Sequence, residues 1–200
     1  MIKNIILDIG GVIVEDSSKK YKDEKYREKL NMSYDEIKNL GKIAFGGTFR
    51  DCLLGEMDIM EHISNVIRDN PSYKDELEYM LDPKFYNETY PIIPDRLDYV
   101  RTLKDRGYKI YFLSNINAES YNFIKHALDE FDGGVYSYQE HVKKPSKEIF
   151  ERIIDKYNLN IDECVFFDDT IKNVDASNEF GLKSYLFNDI NDIEDVLWRV

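Results

Sequence analysis

The sequence predicts an α/β protein: a Rossmann-like, doubly wound parallel sheet with a small inserted helical segment. Four short apolar runs, each typical of a buried strand, recur along the chain, and segments of helical period lie between them. Such alternation favours a parallel sheet covered by helices on both faces. From residue 16 to about residue 90 the pattern changes, because this stretch carries helix signals and no convincing strand.

The first predicted strand is the run IILDIGGVIV at residues 5–14. It is interrupted by a carboxylate, Asp8, and then by Gly10 and Gly11. Burying an unpaired charge is costly, so an accidental aspartate here is disfavoured. Because glycine has no Cβ, the backbone can turn sharply after Asp8 and offer its carbonyl and N–H groups to a close ligand.

The segment that follows the first strand is predicted to be helical. SSKKYKDEKYREKL at 17–30 is charged and helical, and two capping boxes begin further helices, from Ser33 to Glu36 and from Asp58 to Glu61. The chain is expected to return from this insertion to the core near YPIIPD. We therefore predict two domains, a core and an inserted helical cap, with these boundaries: 1–15 and 91–200 for the core, 16–90 for the cap.

The rest of the core is predicted to continue the alternation. Three further strands are expected, at 108–115, 164–169 and 183–188. Helical periods are found in PDRLDYVRTLKDRG, KPSKEIFERIIDKYN and TIKNVDASNEFG. The first and last of these helices are expected to stop at Gly107 and Gly181, since glycine is common just after a helix.

Composition excludes several functions. The 200 residues carry a formal charge of −12, so binding to nucleic acid or to an anionic membrane through a general positive field is not expected. No apolar run approaches the roughly 18 residues of a membrane span, and Asp8 interrupts what could otherwise resemble a signal peptide. Cys52 and Cys164 lack metal-type spacing and are interpreted as reduced thiols. We expect a cytoplasmic protein, either a monomer or a homodimer.

Polar residues follow three of the predicted strands: Asp8, then Ser114 and Asn115, then Asp168 and Asp169. In a doubly wound sheet, ligands bind beyond the carboxyl ends of the strands, where the strand order reverses. Carboxylates meeting there repel one another unless a cation lies between them, and oxygen ligands suit Mg²⁺. Lys144, directly before Pro145, adds a cation suited to phosphate.

These motifs resemble those of a known family. DIGGV, FLSN, KKP and VFFDDTIKN occur in the order and spacing of the four motifs of the haloacid dehalogenase-like (HAD) hydrolase superfamily. The resemblance covers the whole chain, including a helical cap after the first motif. It is strongest to the branch that holds alpha-glucose-1-phosphate phosphatase and the N-terminal phosphatase domain of soluble epoxide hydrolases.

The resemblance implies a role for each motif. Asp8 would be the nucleophile that forms an aspartyl-phosphate, and Lys144 would neutralise it and the phosphoryl group. Phosphate contacts would come from Ser114, Asn115, Lys144, Gly10 and Gly11. The implied Mg²⁺ ligands are Asp8, the Gly10 carbonyl and Asp169, with Asp168 adjacent, directly or through water. Asn173 would hold these ligands in position without contacting the ion itself.

One position departs from the family pattern. Phosphatases of this superfamily usually have a second aspartate, which acts as acid and base, two residues after the nucleophile; here that position is Gly10. Three explanations are open: a substrate whose leaving group needs little protonation, a proton from a bound water or a cap residue, or loss of turnover. Candidates for the cap residue are Glu56, His62 and Arg50, and AFGGTFRD (44–51) is either a substrate-facing loop or a connector.

We therefore predict a Mg²⁺-dependent phosphohydrolase that acts on a small phosphorylated metabolite, with a sugar phosphate as one candidate. The alternative is a non-catalytic or weakly active phosphate-binding or regulatory module on the same fold. Dehalogenase chemistry also uses an aspartate nucleophile but needs no Mg²⁺, which leaves Asp168, Asp169 and Lys144 less well explained. A receiver domain is excluded, since there the acidic pair ends the first strand and the phosphorylated aspartate comes later.

Overall fold

A computed structural model describes residues 1–16 and 20–199 of the chain. Residues 17–19 of the predicted helix at 17–30 lie outside these described residues. Within the described ranges, five strands form one sheet: β1 Asn4–Leu7, β2 Lys109–Ser114, β3 Gly133–Tyr136, β4 Cys164–Asp168 and β5 Ser184–Leu186. All neighbours pair in parallel, in the order β3-β2-β1-β4-β5. The predicted fold class is confirmed.

The central strand is β1, which pairs with β2 on one side and with β4 on the other. Every residue of β1 is buried, as expected for a strand covered by helices on both faces. Its register aligns Leu7 with Phe112 of β2 and with Phe167 of β4. The strand order reverses at β1, so the residues that follow β1, β2 and β4 share one edge of the sheet.

Strand β3 was not among the predicted strands. Its sequence, GGVY, contains two glycines, which are unfavourable in a strand interior. A Cβ on Gly134 would lie 2.4 Å from the Phe112 ring, and one on Gly133 would lie 2.5 Å from the Tyr157 hydroxyl. Glycine is therefore required here by close packing against a neighbouring strand and a helix, a relation that the local sequence does not reveal.

Helices account for most of the remaining described chain. In the first half they are α1 Glu24–Leu30, α2 Tyr34–Ala44, α3 Phe49–Leu53, α4 Ile59–Asp69, α5 Lys74–Leu81 and α6 Tyr86–Thr89. In the second half they are α7 Pro94–Asp105, α8 Ala118–Ile124, α9 Ser137–Glu140, α10 Lys147–Lys156, α11 Ile171–Phe180 and α12 Ile190–Arg199. Short 3₁₀ turns are found at Pro71–Tyr73, Pro83–Phe85, Lys125–Glu130 and Ile161–Glu163. Among the described residues, none of the helices combines the length and the hydrophobicity that a membrane span requires.

Helices α1–α5 pack around an apolar core of their own, in which Ile37 and Leu77 are fully buried. The chain enters and leaves this helical segment at adjacent points. The Glu15 N–H donates to the Pro91 carbonyl at 3.0 Å, and the Ile93 N–H donates to the Ile13 carbonyl at 2.9 Å. These bonds fix the helical segment beside the carboxyl end of β1.

Several predicted helix ends are confirmed. Ser33 begins α2 with a complete capping box to Glu36. Gly107 and Gly181 follow α7 and α11 with positive φ angles of 92° and 103°. The second predicted capping box differs in detail, because the Asp58 side chain accepts from the Met60 N–H at 2.7 Å, one residue earlier than the box pattern requires.

Candidate active site

The carboxyl edge of the sheet brings a nucleophilic carboxylate and a buried cation together. Asp8 directly follows β1 and is 8% exposed, and its Oδ1 accepts a hydrogen bond from the Ile9 N–H at 2.7 Å. Lys144 is 1% exposed, and its Nζ lies 2.9 Å from the same Oδ1. Both contacts fall on Oδ1, so Oδ2 is the oxygen of Asp8 without a protein partner in the described ranges.

All three protons of the Lys144 ammonium group are used. Besides Asp8, the group donates to Asp168 Oδ2 at 2.6 Å and to the Leu113 carbonyl at 2.8 Å. Burial alone would lower the pKa of Lys144, but the charges of Asp8 and Asp168 outweigh it, so the pKa is raised. Lys144 is therefore a fixed positive charge in the site.

The ionisation of Asp8 depends on opposing effects. Burial, which disfavours the charged form, raises the pKa of this carboxyl to about 7. The ammonium of Lys144 acts in the opposite direction, while the negative charges of Asp168 and Asp169 raise the pKa further. A second positive charge beside Asp8 would therefore favour its ionised form near neutral pH.

Asp168 is fully buried and both of its oxygens are engaged by the protein. Oδ1 accepts from the Thr170 N–H at 2.8 Å and from Asn173 Nδ2 at 3.0 Å, while Oδ2 accepts from Lys144. The structure thus places Asp168 as the group that holds Lys144, and it places Asn173 directly behind Asp168. Both oxygens of Asp168 therefore already accept hydrogen bonds from the protein.

Asp169 is only half-buried and lines the cavity beside Asp8. Burial and the nearby charges of Asp168 and Asp16 raise the pKa of Asp169. One oxygen from each of Asp8, Asp168 and Asp169 lies within 4.8 Å of the others. Three carboxylates this close, with one ammonium among them, form a site whose charge chemistry suits a divalent cation.

The glycines after Asp8 differ from each other. Gly11 has a φ of +71°, and a Cβ there would lie 1.9 Å from Asp169 Oδ2, so only glycine leaves room for this carboxylate. Beside Gly10, by contrast, no heavy atom of the described residues lies within 4 Å of an added Cβ. The space that an acid at position 10 would occupy is open.

Asn115 lines the cavity, and its side chain contacts the loop that carries Lys144. Its Nδ2 donates to the Lys144 carbonyl at 3.0 Å, and its Oδ1 accepts from the Lys144 N–H at 2.8 Å. Both ends of the side-chain amide therefore hold the backbone of Lys144. Ser114 is buried and lines the cavity, and its hydroxyl makes no hydrogen bond to the described residues.

The three residues considered as a substitute acid do not line the cavity described above. None of Glu56, His62 and Arg50 is among the described residues that line the cavity. Both ring nitrogens of His62 are occupied, by Thr48 Oγ1 and by the Ala44 carbonyl at 2.8 Å each. Glu56 and Arg50 are exposed. No cap residue proposed from the sequence therefore reaches the space beside Gly10.

The stretch AFGGTFRD does face the cavity. Phe45 and Phe49 line it, and their rings pack edge to face with centroids 5.2 Å apart. Sequence reasoning missed other lining residues, chiefly Glu15, Asp16, Tyr86, Tyr90 and Phe123. The two acids directly follow an apolar run and could have been noticed on that ground. The aromatic residues lie in separate helical stretches, and only the folded chain brings them together.

Fold and site together define a doubly wound α/β protein with a buried aspartate and lysine pair at the point where the strand order reverses. Comparison with known proteins then identifies the family: the model of haloacid dehalogenase-like hydrolases matches residues 2–181. The chain belongs to this family and is an enzyme, a hydrolase.

Three similar proteins illustrate the family. The D-ribitol-5-phosphate phosphatase of Bacteroides thetaiotaomicron is 26% identical over 198 residues, covering 92% of this chain and 91% of that protein. A sesquiterpene phosphatase of Aspergillus oryzae is 30% identical over 86 residues, which span 42% of this chain and 44% of that protein. A HAD family enzyme of Bacteroides thetaiotaomicron, solved as wild type in complex with magnesium and inorganic phosphate, has a TM-score of 0.65 and 21% identity, covering 93% of this chain and 94% of that chain.

Proposed function

We propose that the protein is a Mg²⁺-dependent phosphohydrolase that cleaves a small phosphorylated metabolite through an aspartyl-phosphate. The observation that carries this proposal is the contact of Asp8 Oδ1 with Lys144 Nζ at 2.9 Å, at the end of a cavity lined also by Ser114 and Asp169. Phosphatases among the relatives support the same reaction class. The branch within the family, a cytoplasmic location and a monomeric or homodimeric state stay predictions.

The residues present fit a divalent cation. The cluster has three carboxylates, Asp8, Asp168 and Asp169, and Lys144 is the one cation paired with Asp8 and Asp168 in the described residues, so the ionised cluster carries more negative charge than Lys144 balances. Gly11 leaves the space in which the Asp169 carboxylate sits. We propose Asp8, Asp169 and the Gly10 carbonyl as ligands, with Asp168 behind them as the holder of Lys144. Bound there, Mg²⁺ would supply positive charge to the phosphoryl oxygens.

The chain's own groups would perform the transfer. An oxygen of Asp8 attacks phosphorus, a P–O bond forms, and the bond between phosphorus and the organic oxygen breaks. Lys144 neutralises the charge that develops on the phosphoryl oxygens, and the Ser114 hydroxyl donates to one of them. Water then cleaves the aspartyl-phosphate, which releases inorganic phosphate and restores Asp8. Asn115 acts indirectly, by holding the backbone of Lys144.

The open space beside Gly10 bears on the leaving group. A positioned general acid is worth about 10²–10⁴-fold in rate, and no heavy atom of the described residues lies within 4 Å of where a side chain at Gly10 would begin. We therefore propose that the substrate has a leaving oxygen that departs with little protonation, or that a water supplies the proton. We further propose that residues 16–90 form the cap that covers the substrate and excludes water.

Turnover assays test the proposal. A panel of phosphate monoesters, including 4-nitrophenyl phosphate, should be assayed for phosphate release with Mg²⁺ and with a chelator. We expect turnover that requires Mg²⁺ and is abolished by Asp8→Asn, since the substitution removes the nucleophile. The folded state of the variant is checked by circular dichroism. If the protein is folded and binds Mg²⁺ but releases phosphate from none of the esters, hydrolysis is refuted and a phosphate-binding module is favoured.

A further inference from the structure

The cavity that opens from Asp8 has two chemically different ends. It encloses about 390 Å³, within the range of small-molecule sites. One end carries the polar groups of the sheet edge, which include Asp8, Ser114 and Asp169. The opposite wall is apolar and comes largely from the helical segment; it includes Phe45, Phe49, Leu53, Leu81, Tyr90 and Phe123.

The polar atoms within the apolar wall are already bound to the protein. The Tyr90 hydroxyl donates to the Met80 carbonyl at 3.1 Å. Asn117, another residue at the cavity, has its side-chain oxygen engaged in the same way, because it accepts from the Ser120 N–H at 2.8 Å. A ligand rich in hydroxyl groups would therefore lose its hydrogen bonds to water and find few partners in exchange.

Two acids, Glu15 and Asp16, also line the cavity. Both directly follow the turn after β1, and Asp16 is close enough to Asp169 to raise its pKa. Asp16 therefore lies near the Asp169 end of the cavity, and both acids add negative charge to the cavity lining. They disfavour a second anionic group on the ligand, because like charges in one cavity repel.

From this geometry we propose that the substrate is a phosphate monoester whose organic group is apolar, either aromatic or hydrocarbon, with no second anionic group. The inference rests on the proposed phosphohydrolase function and specifies its substrate class. The apolar wall receives the organic group while Lys144 and Ser114 hold the phosphoryl group. This class differs from the sugar phosphates that the sequence put forward, whose hydroxyl groups would remain unpaired against the wall.

A graded series of esters tests the inference. Phenyl phosphates with 4-alkyl groups from methyl to pentyl keep the leaving oxygen nearly constant while the apolar group grows. We expect kcat/KM to rise about threefold to fourfold with each methylene until the cavity is filled. We expect the 4-propyl ester to exceed its 2,3-dihydroxypropyl analogue by about 10²-fold, and glucose 1-phosphate to be a poor substrate.

Variants of the apolar wall give a second readout. Phe49→Gln and Leu53→Gln are expected to lower the ratio of kcat/KM for the pentyl ester to that for the methyl ester. The matched control is Ile43→Gln, because Ile43 is 36% exposed in the same helical segment and is not among the cavity-lining residues described; its ratio should be unchanged. Two cavity-lining positions are used so that the test survives the loss of one variant to misfolding.

The outcomes separate the two proposals. A flat alkyl series together with efficient turnover of glucose 1-phosphate or of the dihydroxypropyl ester would overturn the apolar substrate class and leave the phosphohydrolase function standing. An equal change of the pentyl-to-methyl ratio in all three variants would also overturn it. Absence of turnover with every ester would overturn both.

Discussion

Gly11 and Asp169 are so close that a Cβ on Gly11 would lie 1.9 Å from Asp169 Oδ2. The φ of Gly11 is +71°, a region that side chains other than glycine rarely adopt. Gly10 differs in both respects, since its φ lies outside that region and the space around it is open. Of the two adjacent glycines in DIGGV, only Gly11 is thus required by the shape of the site.

Gly11→Ala is expected to displace the Asp169 carboxylate and to weaken Mg²⁺ binding. The left-handed backbone alone costs about 1–3 kcal/mol when a side chain is added. The increase in thermal stability on addition of Mg²⁺ should be lost or strongly reduced, as measured by differential scanning fluorimetry. Gly10→Ala is the matched control, and it should keep the response to Mg²⁺. Equal responses in the two variants would contradict the assigned role of Gly11.

Lys144 and Lys143 are adjacent lysines with different surroundings. Lys144→Met removes the only cation that contacts Asp8 and Asp168 in the described residues, and leaving buried charges unpaired costs about 3–5 kcal/mol. We expect a large loss of stability in chemical denaturation and a fall in kcat of about 10²–10³-fold. Lys143→Met should change neither by much, since Lys143 makes no ion pair within the described ranges.

A double variant separates the two effects of Lys144. Lys144→Met combined with Asp168→Asn removes one of the unpaired charges, so part of the lost stability should return. Activity should not return, because the positive charge beside the phosphoryl group is still missing. Recovery of kcat together with stability would contradict a direct role of Lys144 in the reaction.

Much of the fold could be predicted, because alternating apolar runs and helical periods are local signals. Strands β2, β4 and β5 each lie within a predicted run, and β1 overlaps the first run but begins one residue before it, at Asn4. Strand β3 could not be predicted in this way. Its glycines are explained by their close packing against Phe112 and Tyr157, which are distant in the sequence. The sequence run at the first strand also exceeds β1, which ends at Leu7, because the chain turns immediately after Asp8.

The candidate site, like the fold, could be predicted from the sequence only in part. The motifs indicated that Asp8, Lys144 and Asp168 meet, because parallel strands end at one edge of a sheet. The motifs did not indicate that both ends of the Asn115 amide bind the Lys144 backbone, since this bond depends on two loops 29 residues apart. The apolar wall could not be predicted for the same reason. Its aromatic residues lie in separate helices, and a local sequence pattern predicts that such residues are buried but not which of them line one cavity.

Metal binding should depend on pH through Asp8. The folded-state pKa of about 7 lies above the ordinary 3.8, so in metal-free protein Asp8 contributes stability that is present at low pH and lost as pH rises through 7. Mg²⁺ competes with the proton for the carboxylate, so its stabilising effect should grow over the same range. We expect the difference in Tm between Mg²⁺ and chelator to be larger at pH 8 than at pH 5.5. A difference that is independent of pH would contradict the placement of Asp8 at the metal.

Gly10→Asp should install the acid that the site lacks. The space beside Gly10 is open and its backbone conformation accepts a side chain, so the new carboxyl can be accommodated at the edge of the cavity. For esters with poor leaving groups, such as hexyl phosphate, kcat/KM should rise by up to about 10²–10⁴-fold. For 4-nitrophenyl phosphate the change should be small, because nitrophenolate departs without protonation. Gly10→Asn, similar in size but without an exchangeable acid proton, should raise neither rate. Equal gains for both esters, or a gain with Gly10→Asn, would show that position 10 acts through substrate binding and not through proton transfer.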